Sequence, residues 1–553
     1  MQLISFLIVI VAIVVPVRSF GDIAQTTQTG LQVKTTNGVI EGTLDVTNNV
    51  RLFQGIPYAK PPVGDLRWEY PQTPAPFSSV YKANFIAPGC PQDCQLPPGN
   101  CPLTYSEDCL YLTVFAPTVP PKEEAGYPVL FWVHGGAFEQ GLGDCALYNG
   151  TTFAQQGIMV VAINYRLGAL GFMANKDMKG NYGVLDQRMA LQWAQDNAAA
   201  FGGDPKRVTL AGQSAGAMST GIHMVSPGSK GLFSKAILES NPFGLPYHTR
   251  ETADTNAGLM FKYLSCSDLA CMKGKSADEI VKAQKESVKI DRNTLFINFL
   301  PFAPMIEKGG EIPEQPLYAM AAGKMHPMPV LAGSMYDEGQ LFVYEMFTKP
   351  MSKTSYHATL DAIFGMHRSK QIKEMYPMDC EGCPSGNTDG RAAFNVLATD
   401  LLFYCPLRNV TRGAQASLAP TSLPFHIYRF KHVLSFDCWG PGYPFCVGVV
   451  CHGSELPFVF NVFGDGVNNY APTSAEVQLA KDMGNAWSNF MHSADPNQGP
   501  GSSYKQALPV PQSYPLYAAE SDELVVLDEP QFFDASKVRS SYCDTWDQLG
   551  YFW

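Results

Sequence analysis

Charged residues are scarce in this chain of 553 residues, and basic residues are the scarcer kind. Asp, Glu, Lys and Arg make up 16% of the sequence, with 39 Lys and Arg against 50 Asp and Glu, so the formal net charge is -11. This balance argues against nucleic acid or an anionic membrane surface as the main partner. Linker-like Ser/Gly stretches, charge runs and internal repeats are missing too. We therefore expect one large domain, residues 20–553, with long insertions.

Apolar runs of membrane-spanning length are also missing. The strongest run, from about Leu3 to Val17, is too short for a comfortable span and is typical of a signal-peptide core. Small residues at Val17 and Ser19 predict a signal peptide at residues 1–19, although no Lys or Arg precedes the run; a signal anchor is the alternative. No C-terminal anchor or retention signal precedes Trp553. The expected location is secreted, or lumenal in the secretory pathway.

Cysteine, in contrast, is plentiful. The 14 cysteines are even in number and lie mostly in local clusters, which in an exported protein predicts a disulfide framework. Asn149 and Asn409 each begin an N-x-T sequence and are predicted glycosylation sites. A zinc site on Cys380-x-x-Cys383 is the rival interpretation, but no second pair at the expected spacing and no suitable histidine pair accompanies it. Neither a metal nor a cofactor is expected.

Short, nearly continuous apolar stretches alternate with helix-like segments such as Gly183–Ala200. Such stretches are typical of strands covered on both faces. They are Leu110–Pro117, Pro128–Gly136, Ile158–Arg166, Arg207–Ser214, Phe233–Ser240 and Met328–Gly339. The alternation predicts an α/β fold with a large, mostly parallel sheet and helices on both faces. The alternating segment Leu31–Thr43 predicts a peripheral β-hairpin.

The stretch RVTLAGQSAGAMSTG places Ser214 between a buried strand and a segment of small, helix-compatible residues. A G-x-S-x-G pattern in this context predicts a nucleophile on a sharp strand-to-helix turn. An ordinary serine in a glycine-rich loop is the alternative, and partners elsewhere in the chain must decide between the two.

The first such partner is an oxyanion hole, the set of N–H donors that stabilises a negatively charged oxygen. Gly135 and Gly136 follow a predicted strand, and bare glycine backbone can approach a carbonyl oxygen closely. Together with the N–H of Ala215 they form a candidate hole with three donors. His134 precedes the nucleophile, so it is out of order as a base and is expected to shape this loop.

An acid and a base are expected after the nucleophile, in that order. Asp337 and Glu338 end an apolar strand, and either can hold an imidazole. His452 follows an apolar run and precedes a glycine turn, which suits an exposed loop tip; His432 is the second candidate.

Six stretches in order resemble the type-B carboxylesterases, the carboxylesterase/cholinesterase family of α/β-hydrolases. They are Phe53–Trp68, Ser106–Pro117, Val133–Phe138, Asn164–Phe172, Gly180–Ala217 and Cys451–Phe460. The resemblance implies Ser214 as nucleophile, Glu338 rather than Asp337 as acid and His452 as base. It places the oxyanion donors on Gly135, Gly136 and Ala215. It also implies disulfides Cys90–Cys109, Cys266–Cys271 and Cys405–Cys543, with Cys94 competing for the first, and leaves the other cysteines unassigned except that neighbours are expected to pair.

The sequence departs from the family at two positions. Gln213 precedes the nucleophile where the family more often has Glu, and Gly99 stands where cholinesterases carry a tryptophan that stacks on quaternary ammonium. By the same resemblance, Phe243–Tyr247 and Phe299–Phe302 shape the acyl pocket, with Tyr247 and Phe302 as its wall residues.

These features together predict a secreted serine carboxylic-ester hydrolase that forms a covalent acyl-enzyme. The expected substrates are small-molecule esters with short or medium acyl groups, and not choline esters. The alternative is a non-catalytic binding or adhesion protein on the same fold, because fold does not fix function. A lipase would differ only in substrate.

Overall fold

The computed structural model describes residues 30–97, 99–121, 126–288, 299–418, 424–463, 470–499, 509–510, 513–529 and 533–552. The predicted signal peptide, residues 1–19, lies outside these ranges. The strands are β1 Gln32–Thr35, β2 Gly38–Glu41, β3 Thr43–Asp45, β4 Val50–Pro57, β5 Tyr81–Lys82, β6 Tyr111–Pro117, β7 Tyr127–Val133, β8 Met159–Ile163, β9 Gly203–Gln213, β10 Lys235–Glu239, β11 Val330–Met335, β12 Phe425–Phe430, β13 Glu523–Leu527 and β14 Phe533–Ser536.

The helices lie mainly between the strands. They are α1 Thr151–Gln155, α2 Gly168–Phe172, α3 Tyr182–Phe201, α4 Ala215–Val225, α5 Arg250–Tyr263, α6 Leu269–Lys273, α7 Ala277–Ser287, α8 Pro316–Ala321, α9 Glu338–Met346, α10 Lys353–Met375, α11 Gly390–Ala398, α12 Cys405–Ser417, α13 Leu456–Val459, α14 Ser474–Ser493 and α15 Ser540–Leu549. A π-helical turn, Thr399–Tyr404, joins α11 to α12. Helix α10 is kinked at Gly365, which has φ 71°.

One large sheet dominates the molecule. Its strand order is β14-β13-β12-β11-β10-β9-β7-β8-β6-β4-β3. The consecutive strands from β8 to β13 pair in parallel, whereas β3, β4, β6 and β14 pair antiparallel. The six predicted strands and the predicted α3 are confirmed. The predicted hairpin is β1 and β2, in a separate small sheet with β5.

The parallel strands are buried on both faces, as their composition predicts. All residues of β7, β8, β10, β11 and β12 are buried. The large sheet has a separate apolar cluster on each side, and successive residues of β7 alternate between them: Phe131 belongs to one and Trp132 to the other. Since parallel strands end at one edge, the segments after β7, β9 and β11 emerge together, where α/β sheets bind ligands.

The described part of the chain contains six disulfides. They are Cys90–Cys109, Cys94–Cys101, Cys266–Cys271, Cys380–Cys383, Cys405–Cys543 and Cys446–Cys451. The three bridges implied by the family resemblance are among them, and Cys94 pairs with Cys101 instead of competing for Cys109. Cys145 and Cys438 are unpaired thiols. Within the described ranges no helix has the length and apolar character needed to cross a membrane.

Candidate active site

Ser214 lies on a strained turn between β9 and α4. Its backbone has φ 57° and ψ -122°, outside the regions that non-glycine residues favour. The flanking glycines make this turn possible: a Cβ on Gly216 would lie 2.0 Å from the Val133 carbonyl oxygen, and one on Gly212 would lie 2.5 Å from the Gly216 carbonyl carbon. Both glycines are therefore required by the close approach of strand and helix, as the sequence pattern predicts.

His452 and Glu338 form a direct pair at the same sheet edge. His452 Nδ1 lies 2.5 Å from Glu338 Oε2, and the other carboxylate oxygen accepts the Met335 N–H at 2.7 Å. The glutamate is fully buried and His452 is 5% exposed. Because a carboxylate only accepts, it holds the imidazole as the Nδ1–H tautomer and leaves Nε2 with a free lone pair. The geometry thus selects Glu338 where the residues alone left Asp337 open.

Asp337 instead anchors the loop that carries His452. Its carboxylate accepts hydrogen bonds from the Val450 N–H and the Asn395 side chain, each at 3.1 Å. Its own N–H donates to the Val450 carbonyl oxygen at 3.1 Å. The disulfide Cys446–Cys451 fixes the same loop one residue before the histidine. Asp337 therefore acts on the position of His452 through the backbone and does not touch the imidazole.

The glycine loop after β7 lies against the nucleophile. A Cβ on Gly135 would lie 3.2 Å from Ser214 Cβ, and Gly136 has φ 107°, a conformation that glycine adopts without strain. Ala215 is the first residue of α4, so its N–H belongs to the turn that has no intrahelical acceptor. Gly135 thus lies against Ser214, while the role of Gly135, Gly136 and Ala215 as an oxyanion hole stays a prediction.

His134 contacts this loop. This is expected for a histidine that precedes the nucleophile in the sequence and is therefore not the predicted base. Its ring stacks on Tyr165 with centroids 4.5 Å apart, and Nδ1 lies 2.7 Å from the Gly135 carbonyl oxygen. Burial lowers the pKa of His134 to about 4, which keeps this imidazole neutral.

Gln213 makes a contact that the sequence did not reveal. Its side-chain Nε2 lies 3.1 Å from His452 Nε2, and the residue is 5% exposed. The imidazole nitrogen that does not face Glu338 therefore contacts Gln213. No hydrogen bond joins the Ser214 hydroxyl to His452 in this structure. The only available signal was the departure from Glu at this position, and it gave no indication of the partner.

Ser214, Gln213 and His452 line one cavity of about 530 Å³. Its wall is mostly apolar and includes Leu96, Phe299, Leu300, Leu341, Phe342 and Trp439. The predicted wall residues Tyr247 and Phe302 are not part of it. Both are buried in the core, and the Tyr247 hydroxyl donates to the Met218 carbonyl oxygen at 3.1 Å, which ties this side chain to α4. The acyl-pocket assignment is corrected accordingly: from the second predicted stretch, Phe299 and Leu300 reach the cavity.

Two buried carboxyl groups lie behind the nucleophile. The Glu239 carbonyl oxygen accepts the Ser214 N–H at 2.9 Å, and its side chain accepts the Trp487 indole N–H at 2.7 Å. Glu239 and Glu455 are fully buried. Burial raises the pKa of both carboxyl groups, and Glu239 further raises that of Glu455. The protonated form of both side chains is therefore favoured.

The two predicted glycosylation sites lie in different surroundings. Asn149 precedes α1 at an intermediate exposure. Asn409 lies inside α12, where its amide donates to Asp547 at 2.9 Å and Thr411 of the same acceptor sequence is fully buried. Both asparagines have intermediate exposure, and modification of both stays a prediction.

A mostly parallel sheet that turns from strand to helix through a strained serine, with a histidine–glutamate pair at the same edge, defines an α/β-hydrolase. The carboxylesterase family matches residues 29–546, so this chain belongs to that family.

Curated relatives cover nearly the whole chain. The crystal protein of Dictyostelium discoideum is 37% identical over 526 residues, which are 94% of this chain and 91% of that protein. The para-nitrobenzyl esterase of Bacillus subtilis (strain 168) is 34% identical over 512 residues, 90% of this chain and 94% of that protein. Among solved structures, a thermophylic PNB esterase matches with a TM-score of 0.76 and 31% identity, and covers 94% of this chain and 100% of that chain.

Proposed function

We propose that this protein is a secreted serine carboxylic-ester hydrolase in which Ser214, His452 and Glu338 form the catalytic triad. The observation that carries the proposal is the geometry at one sheet edge: a serine on a strained elbow, beside a glycine loop and a buried histidine–glutamate pair. Membership of a family that includes a para-nitrobenzyl esterase supports an ester as substrate.

In the proposed reaction, Ser214 Oγ attacks the ester carbonyl carbon while its proton moves to His452 Nε2. The carbonyl oxygen becomes an oxyanion, which accepts hydrogen bonds from the N–H groups of Gly135, Gly136 and Ala215. Glu338 orients the imidazole and stabilises its positive charge. The alcohol leaves with the proton from Nε2, and water then attacks the acyl-enzyme with the same histidine as base.

The cavity favours esters of short or medium acyl groups. Its volume of about 530 Å³ lies within the usual range for small-molecule sites, and its wall is mostly apolar. Gly99, the position where cholinesterases carry a tryptophan, has no side chain and is not among the lining residues. We therefore expect neutral esters to be better substrates than choline esters.

The proposal of export rests on the apolar N-terminal run. The six disulfides support it, because such bridges persist in oxidising compartments. N-terminal sequencing of protein recovered from the culture medium tests a cut after Ser19.

The activity test is hydrolysis of p-nitrophenyl esters of increasing acyl length, with butyrylthiocholine as the cationic comparison. Ser214→Ala is expected to lower turnover by at least about 10⁴-fold without changing the melting temperature appreciably. A folded wild-type protein that neither hydrolyses these esters nor reacts with an organophosphate would overturn the proposal and favour a binding role. A preference for the longest acyl chains would instead identify a lipase.

A further inference from the structure

The amide of Gln213 occupies the nitrogen that the proposed reaction needs. Its Nε2 lies 3.1 Å from His452 Nε2. The opposite imidazole nitrogen faces Glu338 at 2.5 Å, and two acceptors cannot face each other there, so the neutral ring carries its proton on Nδ1. His452 Nε2 is then an acceptor, and Gln213 must present its N–H to it.

The Gln213 amide lies close to two loops. A Cβ on Gly135 would lie 3.0 Å from Gln213 Oε1, and a Cβ on Gly453 would lie 3.5 Å from Gln213 Nε2. Glycine at both positions leaves just enough space for it.

We propose that Gln213 is a positioning residue that holds His452 as a neutral acceptor between turnovers and so extends ester hydrolysis to lower pH. An amide N–H stabilises the unprotonated Nε2, whereas a carboxylate at the same place accepts only and stabilises the protonated ring. This inference rests on the proposed function, because it concerns the base of that reaction.

In the reaction, the Gln213 hydrogen bond is exchanged for that of Ser214. Nε2 releases the amide N–H, accepts the Ser214 proton as the Oγ–carbon bond forms, and passes that proton to the leaving alcohol oxygen. After deacylation Nε2 is neutral again and the amide bond re-forms. No group besides the ester and water is consumed.

The charged groups around His452 do not oppose the effect of Gln213 on its protonation. Glu338 is the carboxylate in contact with it, and the Phe342 and Phe403 rings lie 5.0 and 5.2 Å from its ring. Burial raises the pKa of Glu239 and of Glu455, which favours their protonated forms. Glu345 lies on the cavity wall, and no Lys or Arg lines that wall within the described part of the chain. A second carboxylate against Nε2 would therefore meet no opposing cation.

The test is the pH dependence of kcat/KM on a neutral p-nitrophenyl ester for wild type, Gln213→Glu and Gln213→Met. The glutamate variant is expected to move the midpoint of the acid limb upward by about one pH unit, since it adds a charge beside the imidazole. The methionine variant, which only loses the donor, is expected to move it upward by about half a unit or less. Gln478→Glu, the same replacement on the exposed face of α14, is the control and leaves the midpoint in place.

A glutamine that serves packing alone would change the height of the profile and not its midpoint, so coincident midpoints in all four proteins would overturn the inference. If the variants do not fold, a crystal structure of the resting wild-type protein decides. Gln213 Nε2 within hydrogen-bond distance of His452 Nε2 supports the inference, and a Ser214–His452 bond with the amide turned away overturns it. Failure of the proposed function is distinct, because the wild-type protein would then show no Ser214-dependent hydrolysis at any pH.

Discussion

Two buried histidines of this molecule each contact a glutamate, and the proposed function assigns catalysis to only one of the pairs. His452 Nδ1 lies 2.5 Å from Glu338, and His432 Nε2 lies 3.1 Å from Glu476. His432 also has Asp528 at 3.7 Å and Glu529 at 3.8 Å from its ring nitrogens. Acidic side chains thus approach both nitrogens of His432, whereas His452 lines the cavity that contains Ser214, and its second nitrogen contacts the neutral amide of Gln213.

The two glutamates differ in a corresponding way. Glu476 is the N3 residue of the capping box of α14, and it also accepts the backbone N–H and the hydroxyl of Ser435. Glu338 accepts one backbone N–H with one carboxylate oxygen and contacts the imidazole with the other. A carboxylate partner therefore does not by itself identify a catalytic histidine. The two sites differ in two respects: His452 lines the cavity with Ser214, and Glu338 has fewer hydrogen-bond partners besides its histidine than Glu476 has.

The largest expected difference between the pairs is in activity. His452→Gln should lower kcat by at least about 10⁴-fold, because it removes the proposed general base. His432→Gln should leave kcat within about threefold of wild type and act mainly on the melting temperature. Steady-state assays on one p-nitrophenyl ester, with circular dichroism to establish folding, measure both effects. Loss of activity in a folded His432 variant would reverse the assignment.

Variants of Glu338 and of the neighbouring Asp337 test this comparison further. Glu338→Gln should lower kcat by about 10³–10⁴-fold, because an amide no longer stabilises the imidazolium that forms during the reaction. Asp337→Asn keeps an oxygen that can accept the Val450 N–H and should cost at most about tenfold. The measurement is kcat for the two variants at the pH optimum. Equal losses would mean that loop anchoring, and not charge, is the main role of this pair.

The sequence was sufficient for the parts of the site that local chemistry dictates. Gly212 and Gly216 are required by a backbone approach, and the buried strand before Ser214 is visible in its composition, so the elbow could be predicted. The order of chain segments, together with the family resemblance, was enough to choose His452 over His432. These inferences need only which strand precedes which residue.

Contacts between distant side chains could not be predicted in this way. Gln213 and His452 are 239 residues apart, and their contact depends on the packing of two loops. Tyr247 lies in the predicted stretch, but its hydroxyl finds the Met218 carbonyl and the ring stays in the core. Phe299 and Leu300 reach the cavity instead. Orientation is decided by hydrogen-bond partners in the tertiary structure, which a pattern of residue types does not contain.

A smaller difference between the pairs is expected in acid stability. Hydrogen bonds from Ser435, Thr473 and His432 outweigh the effect of burial and lower the pKa of Glu476 to about 2. Because this pKa lies below the ordinary value of 4.5, the carboxylate stabilises the fold above that value, and this contribution is lost as the pH falls from about 4.5 to about 2. Glu476→Gln should lower the free energy of unfolding by about 1 kcal/mol at pH 7, because a neutral amide oxygen accepts weaker hydrogen bonds than a carboxylate. The difference from wild type should shrink on acidification; denaturant unfolding at several pH values measures it, and a constant difference would contradict the assignment.

The smallest expected effect concerns a buried acid that has no histidine partner. Burial raises the pKa of Glu239 above its ordinary value of 4.5, so the protonated side chain favours the fold below that value and the contribution disappears as the pH rises through the raised pKa. Glu239→Gln keeps an oxygen for the Trp487 N–H but cannot ionise, so its melting temperature should fall less than that of wild type as the pH rises from about 4.5 to about 8. Thermal melts of both proteins over that range measure the difference. Parallel curves would mean that Glu239 keeps one charge state throughout this range, and that burial does not raise its pKa.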